Sequence, residues 1–139
     1  MILIPEKKIF ESVHQPVCFL TAAGEKKDLG SIRGKRVCLV SGLGDNDSFL
    51  DTVKALGADS ALNFFFMDHH RYTKDQISHI IAKCKAAHID NILTTEKDGV
   101  KLKYLVEKDL GIELLILKIR LKIKDEDVFF KRISSIFSR

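Results

Sequence analysis

No disulfide or zinc framework is written into this sequence. Its three cysteines, Cys18, Cys38 and Cys84, are odd in number and show no CxxC spacing. Two of them lie in apolar runs and read as small core residues, which fits a reducing cytosol. No apolar run approaches the roughly 20 residues of a membrane span. The opening "MILIPEKK" is too short an apolar patch for a signal peptide, and its charges follow the patch instead of preceding it. Repeats and low-complexity tracts are absent, as is a Walker A loop, GxxxxGK[ST]. Gly34-Lys35 is followed by Arg36 and precedes a strand-like run, the wrong order for a phosphate loop. The formal charge of +4 is mild and excludes little.

What is present is ordinary globular material. The chain has 139 residues, 45% hydrophobic and 30% charged, enough for one domain with a real core. Residues 1–35 read as a linker with a strand or hairpin, "PVCFLTA" followed by the glycine-punctuated "GEKKDLGSIRGK". From 36 to 139 strand-like and helix-like patterns alternate. Strands are expected near 36–41, 60–66, 91–94 and 113–122. Helices are expected between them, the first capped by Asn46 or Asp47, the second by Thr73, the third by Thr94 or Thr95. A last amphipathic helix, "DEDVFFKRISSIFSR", would close the chain. This pattern predicts an α/β domain of three layers with a mainly parallel sheet and right-handed crossovers. The basic alternation in "LKIRLKIK" is expected to guard an edge strand.

In such sheets ligands sit beyond the carboxyl ends of the strands. Three polar clusters fall there: "SGLGDND" (41–47), "DHH" (68–70) and "TTEKD" (94–98), and all three should face one side. The first has two glycines whose amides could approach a phosphate, but a tight turn leading into a helix explains it better. In the second, Asp68 beside His69 could orient an imidazole and raise its basicity, as proton transfer requires. Adjacent imidazoles usually point apart, so one of His69 and His70 should face a site. A metal centre is disfavoured, because His14, His79 and His88 have no ligand spacing with this pair. In the third, Glu96 and Asp98 suit a helix N-terminus and Lys97 does not, so a phosphate or acidic partner for Lys97 and plain helix capping stay equally open.

Together, "VCLVSGLGDNDSFLDTVKALGA", "FFFMDHHRYTKDQI" and "ILTTEKDGVKL" resemble, in order and spacing, the carboxyl-terminal part of the tetraacyldisaccharide 4'-kinase (lipid A 4'-kinase) family. The resemblance runs from about Gly34 to the end. Two departures stand out: Asp45-Asn46 where the family tends to have Asn-Pro, and Gly99 where it tends to have Ala. The resemblance implies the carboxyl-terminal lobe of a P-loop-type kinase at the cytoplasmic face of the inner membrane. The reaction implied is transfer of the ATP γ-phosphoryl group to the 4'-hydroxyl of a tetraacyldisaccharide 1-phosphate, in lipid A biosynthesis. ATP and Mg2+ would be bound mainly by an amino-terminal P-loop lobe that this sequence does not contain. His69 would assist an aspartate of that lobe in activating the hydroxyl, with Asp68 beside it. Glu96, Lys97, Asp98 and His70 would position substrate or phosphates or close the lobe interface.

The expected partners are thus the P-loop lobe, the lipid A disaccharide precursor and the membrane surface, with no nucleic acid. Alone, such a fragment should be inactive. Two other readings remain: a non-catalytic interaction domain of the same fold, and a DHH-type metal-dependent phosphoesterase, which would need further Asp motifs.

Overall fold

The computed structural model describes residues 2–3, 9–10, 12–42, 46–106 and 111–123. It divides into two compact units, Pro16–Lys118 and Met1–Gln15 with Ile119–Arg139. In the smaller unit, β1 (Ile2–Leu3) and β2 (Ile9–Phe10) form an antiparallel pair. The expected closing helix at 125–139 lies outside the described residues.

The larger unit is built on a six-stranded sheet. Its strands are β3 (Ser12–Thr21), β4 (Lys26–Lys27), β5 (Arg36–Ser41), β6 (Asp59–Phe65), β7 (Asn91–Thr95) and β8 (Glu113–Ile123), in spatial order β4-β3-β8-β7-β5-β6. β5 pairs in parallel with β6 and β7, and β7 in parallel with β8, while β3 and β4 form a short antiparallel hairpin. The expected mainly parallel α/β fold is the one observed, with each of the four later strands within a residue or so of its expected place.

Strand order explains the layers. From β5 the chain passes through α1 (Asn46–Ala55) to β6 on one side. It returns through α2 (Lys74–Ala86) past β5 to β7, and continues in the same direction through α3 (Glu96–Leu102) to β8. With right-handed crossovers the first excursion puts its helix on one face, and the two in the opposite direction put theirs on the other. The core agrees. Cys38 and Val40 of β5, Ile92 of β7, and Leu114 and Ile116 of β8 form one buried cluster with Ile77, Ile80, Ile81 and Cys84 of α2 and with Leu102. The alternate residues Val37, Leu39, Leu93, Leu115 and Leu117 are buried outside that cluster, as are Phe49 and Val53 of α1. Buried on both faces, β5 reads as an unbroken apolar run. All three cysteines are free and buried.

Two expectations need correction. The strand carrying "LKIRLKIK" is not an edge along its whole length, because β8 lies between β7 and β3, although its pairing with β7 ends at Leu117. Basic alternation marks a solvated face, and it cannot reveal that an amino-terminal strand takes the next place. Asn46 and Asp47 do not cap α1 from outside, since both lie in its first turn. The Asn46 side chain instead accepts the Ser41 hydroxyl at 2.6 Å, which ties the helix start to the end of β5.

Candidate functional site at the carboxyl ends of the strands

The chain leaves β5 for one side of the sheet and leaves β7 for the other, so a crevice opens between the carboxyl ends of these neighbours. Gly42 follows β5 and Asp98 follows β7, and they meet there: the Gly42 N–H donates to Asp98 Oδ2 at 3.0 Å. A side chain at 42 has no room. A Cβ would lie 2.9 Å from the Met67 carbonyl oxygen and 3.4 Å from both Asp98 Oδ1 and the Tyr72 hydroxyl.

Asp98 is only 1% exposed. Burying a carboxylate is costly unless donors replace its water, and three do. Besides Gly42, the Thr95 hydroxyl donates to Oδ2 at 2.9 Å and the Tyr72 hydroxyl to Oδ1 at 3.1 Å. Thr95, the last residue of β7, also caps α3 by accepting the Asp98 N–H. Burial, then the Asp98 charge, push the Tyr72 phenol well above its ordinary range, so it stays protonated and can donate. Thr94, the other candidate cap, turns inward and donates to the Val40 carbonyl at 2.6 Å.

The segment between β6 and α2 is pinned at both ends. Phe66 N–H donates to the Ser41 carbonyl at 2.8 Å. At the far end Thr73 forms a full capping box with Gln76, as its role of N-cap predicted. The Gln76 Oε1 that accepts the Thr73 N–H also lies 3.1 Å from His70 Nε2. Because that oxygen can only accept, the His70 proton sits on Nε2. The His70 ring stacks on Phe66 with centroids 4.2 Å apart and meets the Tyr72 ring edge-on at 5.0 Å. His70 is therefore a packed imidazole with one nitrogen committed.

His69 is its opposite. Its side chain is 83% exposed, and its backbone sits at φ 63°, a left-handed conformation that costs a residue with a Cβ free energy of about 1 kcal/mol. The strained turn presents one imidazole to solvent and leaves the other half-buried against Phe66. Asp68 Oδ1 accepts the His69 backbone N–H at 3.0 Å, and Oδ2 lies 3.7 Å from His69 Nε2. That spacing is too long for a hydrogen bond. The main partner of Asp68 is elsewhere: Lys97 Nζ, at the start of α3, binds Oδ1. The Lys97 ammonium, with His69 contributing, holds the Asp68 carboxyl below the ordinary carboxylate range. One turn further, Lys101 Nζ donates to the His70 carbonyl at 3.2 Å.

The described parts of all three polar clusters thus converge, residues 43–45 of the first lying outside the described residues, and the residues singled out from the sequence divide by role. Asp68, His69 and Lys97 form an accessible group in which carboxylate, imidazole and ammonium lie side by side. Glu96 is exposed in the first turn of α3. Asp98 and His70 face inward. Tyr72 and Gln76 were assigned no part in this site by sequence reasoning, Gly42 was read as a tight turn and Thr95 as a candidate helix cap, although all four stand inside the quoted motifs. Their signal was a hydroxyl at a strand or loop end with an acid nearby on another element, which a linear reading does not pair.

A cavity of about 790 Å3 opens at the opposite, amino ends of β5, β7 and β8, against Arg36, Asn91 and Glu113. The crevice rule and the clustering of titratable groups favour the carboxyl ends instead. The residues described do not fit a triphosphate cradle. GxxxxGK[ST] is absent, and the Gly42 amide that would face an anion is taken by Asp98. Among the described residues, no group of three or more His, Cys, Asp or Glu is placed to hold a metal ion, and no helix is long and apolar enough to cross a membrane.

The sequence profile of the tetraacyldisaccharide-1-P 4'-kinase family matches residues 3–138. A tetraacyldisaccharide 4'-kinase of Syntrophus aciditrophicus is 32% identical over 129 residues, 92% of this chain and 34% of that protein. One from Anaeromyxobacter dehalogenans is 36% identical over 110 residues, 78% of this chain and 29% of that protein. The solved structure of LpxK from Aquifex aeolicus in complex with ATP superposes with a TM-score of 0.59 at 26% identity, covering 99% of this chain and 39% of that one. The chain spans about a third of the length of these relatives and matches their carboxyl-terminal part. It belongs to the tetraacyldisaccharide-1-P 4'-kinase family.

Proposed function

We propose that the chain acts as the carboxyl-terminal lobe of a tetraacyldisaccharide 4'-kinase, peripheral to the cytoplasmic face of the inner membrane. Its partner is an amino-terminal P-loop lobe that holds ATP and Mg2+. Together they phosphorylate the 4'-hydroxyl of a tetraacyldisaccharide 1-phosphate in lipid A biosynthesis. The observation that carries this reading is the exposed His69 imidazole, held on a strained turn beside the Asp68 carboxylate at the sheet's crevice.

On this reading His69 acts on the acceptor. A neutral imidazole accepts the hydroxyl proton as it is lost, and Asp68 stabilises the imidazolium that results. Lys97 keeps Asp68 ionised, and Glu96 and Lys97 border the place where an acceptor phosphate would lie. Asp98 and His70 contribute by holding the loops. Without the P-loop lobe the chain is inactive.

The test is phosphate transfer to the disaccharide acceptor by the chain alone, by the chain combined with a P-loop lobe of the family, and by substituted chains in that pair. His69→Ala should lower turnover by about 10²–10⁴-fold with little change in ATP affinity, the range typical of general base assistance. His70→Ala should be milder. Activity of the chain alone, or an unimpaired His69→Ala pair, would overturn the reading.

A further inference from the structure

We propose that the Tyr72 hydroxyl and the buried Asp98 carboxylate form a latch that positions the Asp68–His70 turn over the crevice between β5 and β7. The catalytic half of this inference rests on the role given to His69 above. The latch itself stands on geometry. Phe66 fixes the start of the segment to Ser41 at 2.8 Å, the ammonium groups of Lys97 and Lys101 reach Asp68 and the His70 carbonyl within it, and the chain then comes to its one anchor on a buried side chain among the described residues. That anchor is the Tyr72 hydroxyl on Asp98 at 3.1 Å. Tyr72 also braces the turn sideways, its ring edge-on to Phe66 at 5.4 Å and to His70 at 5.0 Å.

The other end of the latch is tied down by hydrogen bonds. Asp98 is held by the Gly42 amide and the Thr95 hydroxyl, and it sits where α3 packs closely on β8. One carboxylate therefore joins the ends of β5 and β7 to the loop that follows β6. If Asp98 served only to cap α3, no contact with Tyr72 would be needed. If Tyr72 were only a core aromatic, its hydroxyl would not point at a buried acid. The conjunction makes Tyr72 a positioning residue for His69, acting through the loop and not on substrate.

Tyr72→Phe keeps the ring packing and removes only the latch, so the fold should survive. In the chain alone, amide exchange of residues 67–71 should quicken by roughly 10- to 100-fold, the factor that goes with one hydrogen bond to a charged acceptor. The ring-proton signals of His70 should shift. Asp98→Asn should give the same pattern more strongly. If Tyr72→Phe leaves both exchange and ring signals at their wild-type values, the latch is overturned, even should Asp98→Asn fail to fold. In the reconstituted pair, Tyr72→Phe should lower kcat about tenfold or more and leave KM for ATP unchanged. Quickened exchange with an unchanged kcat would overturn the positioning role. An inactive wild-type pair would overturn the kinase reading and the catalytic half with it, while exchange in the chain alone would still decide the latch.

Discussion

Lys97 and Asp68, 29 residues apart in sequence, are joined side chain to side chain across the mouth of the crevice. Lys97 is the one basic residue in the first turn of α3, where the helix dipole disfavours it. The pairing explains its presence, because the carboxylate it meets belongs to the loop that presents His69.

The pair should be visible in titration. Asp68 is expected to lose its proton below the usual carboxylate value of about 3.9, and Lys97→Met should bring it back towards that value. A depressed folded pKa contributes stability above the unfolded pKa and loses it as pH falls through the folded one. The stability gap between wild type and Lys97→Met should therefore be present at neutral pH and vanish in strong acid. Carbon-13 NMR of the carboxyl and unfolding midpoints against pH measure both. An Asp68 midpoint unmoved by Lys97→Met would contradict the pairing.

Gly42→Ala should be destabilising. The new methyl group meets the Met67 carbonyl oxygen at 2.9 Å, and a backbone atom cannot rotate aside. A cost of about 1–3 kcal/mol in urea unfolding is expected, with disturbed signals at Tyr72 and Asp98. An unfolding midpoint equal to wild type would show that the loops part more easily than described.

Gly99→Ala puts two effects in opposition. Alanine favours a helix over glycine by up to about 1 kcal/mol. Here its Cβ would fall 2.8 Å from both Ile116 Cγ1 and Cδ1 and 3.0 Å from Cγ2, and a β-branched side chain cannot withdraw all three. The clash should win, so Gly99→Ala lowers stability. On an Ile116→Ala background the cost should shrink or reverse, and a double-mutant cycle reads that coupling. Strict additivity would count against the packing described.

Gln76→Ala should act in two places. It removes half of the capping box, and with it the acceptor of the His70 ring. A loss of about 1 kcal/mol is expected. The His70 ring signals should move while those of exposed His69 stay nearly fixed. Equal shifts in both would mean that the two imidazoles are not divided into a packed and a presented one.

The sequence by itself determined the four later strands and the helices between them, and that their polar ends face one way. Periodicity is local, and βαβ connections leave little freedom of hand, so strands near 36–41, 60–66, 91–94 and 113–122 were legible. So was the Thr73 cap, because a capping box closes within four residues. Strand order was not legible. It decided that β8 lies between β7 and β3, that the crevice lies between β5 and β7, and that the Gly42 amide serves a carboxylate. The same holds within the "DHH" triplet, where the alternation of residues along the chain does not say which imidazole is packed. Packing of Phe66 and Tyr72 around His70, together with the left-handed turn at His69, settled that. Contacts between residues far apart in the chain depend on how helices pack on a sheet, and that order exists only in the folded molecule.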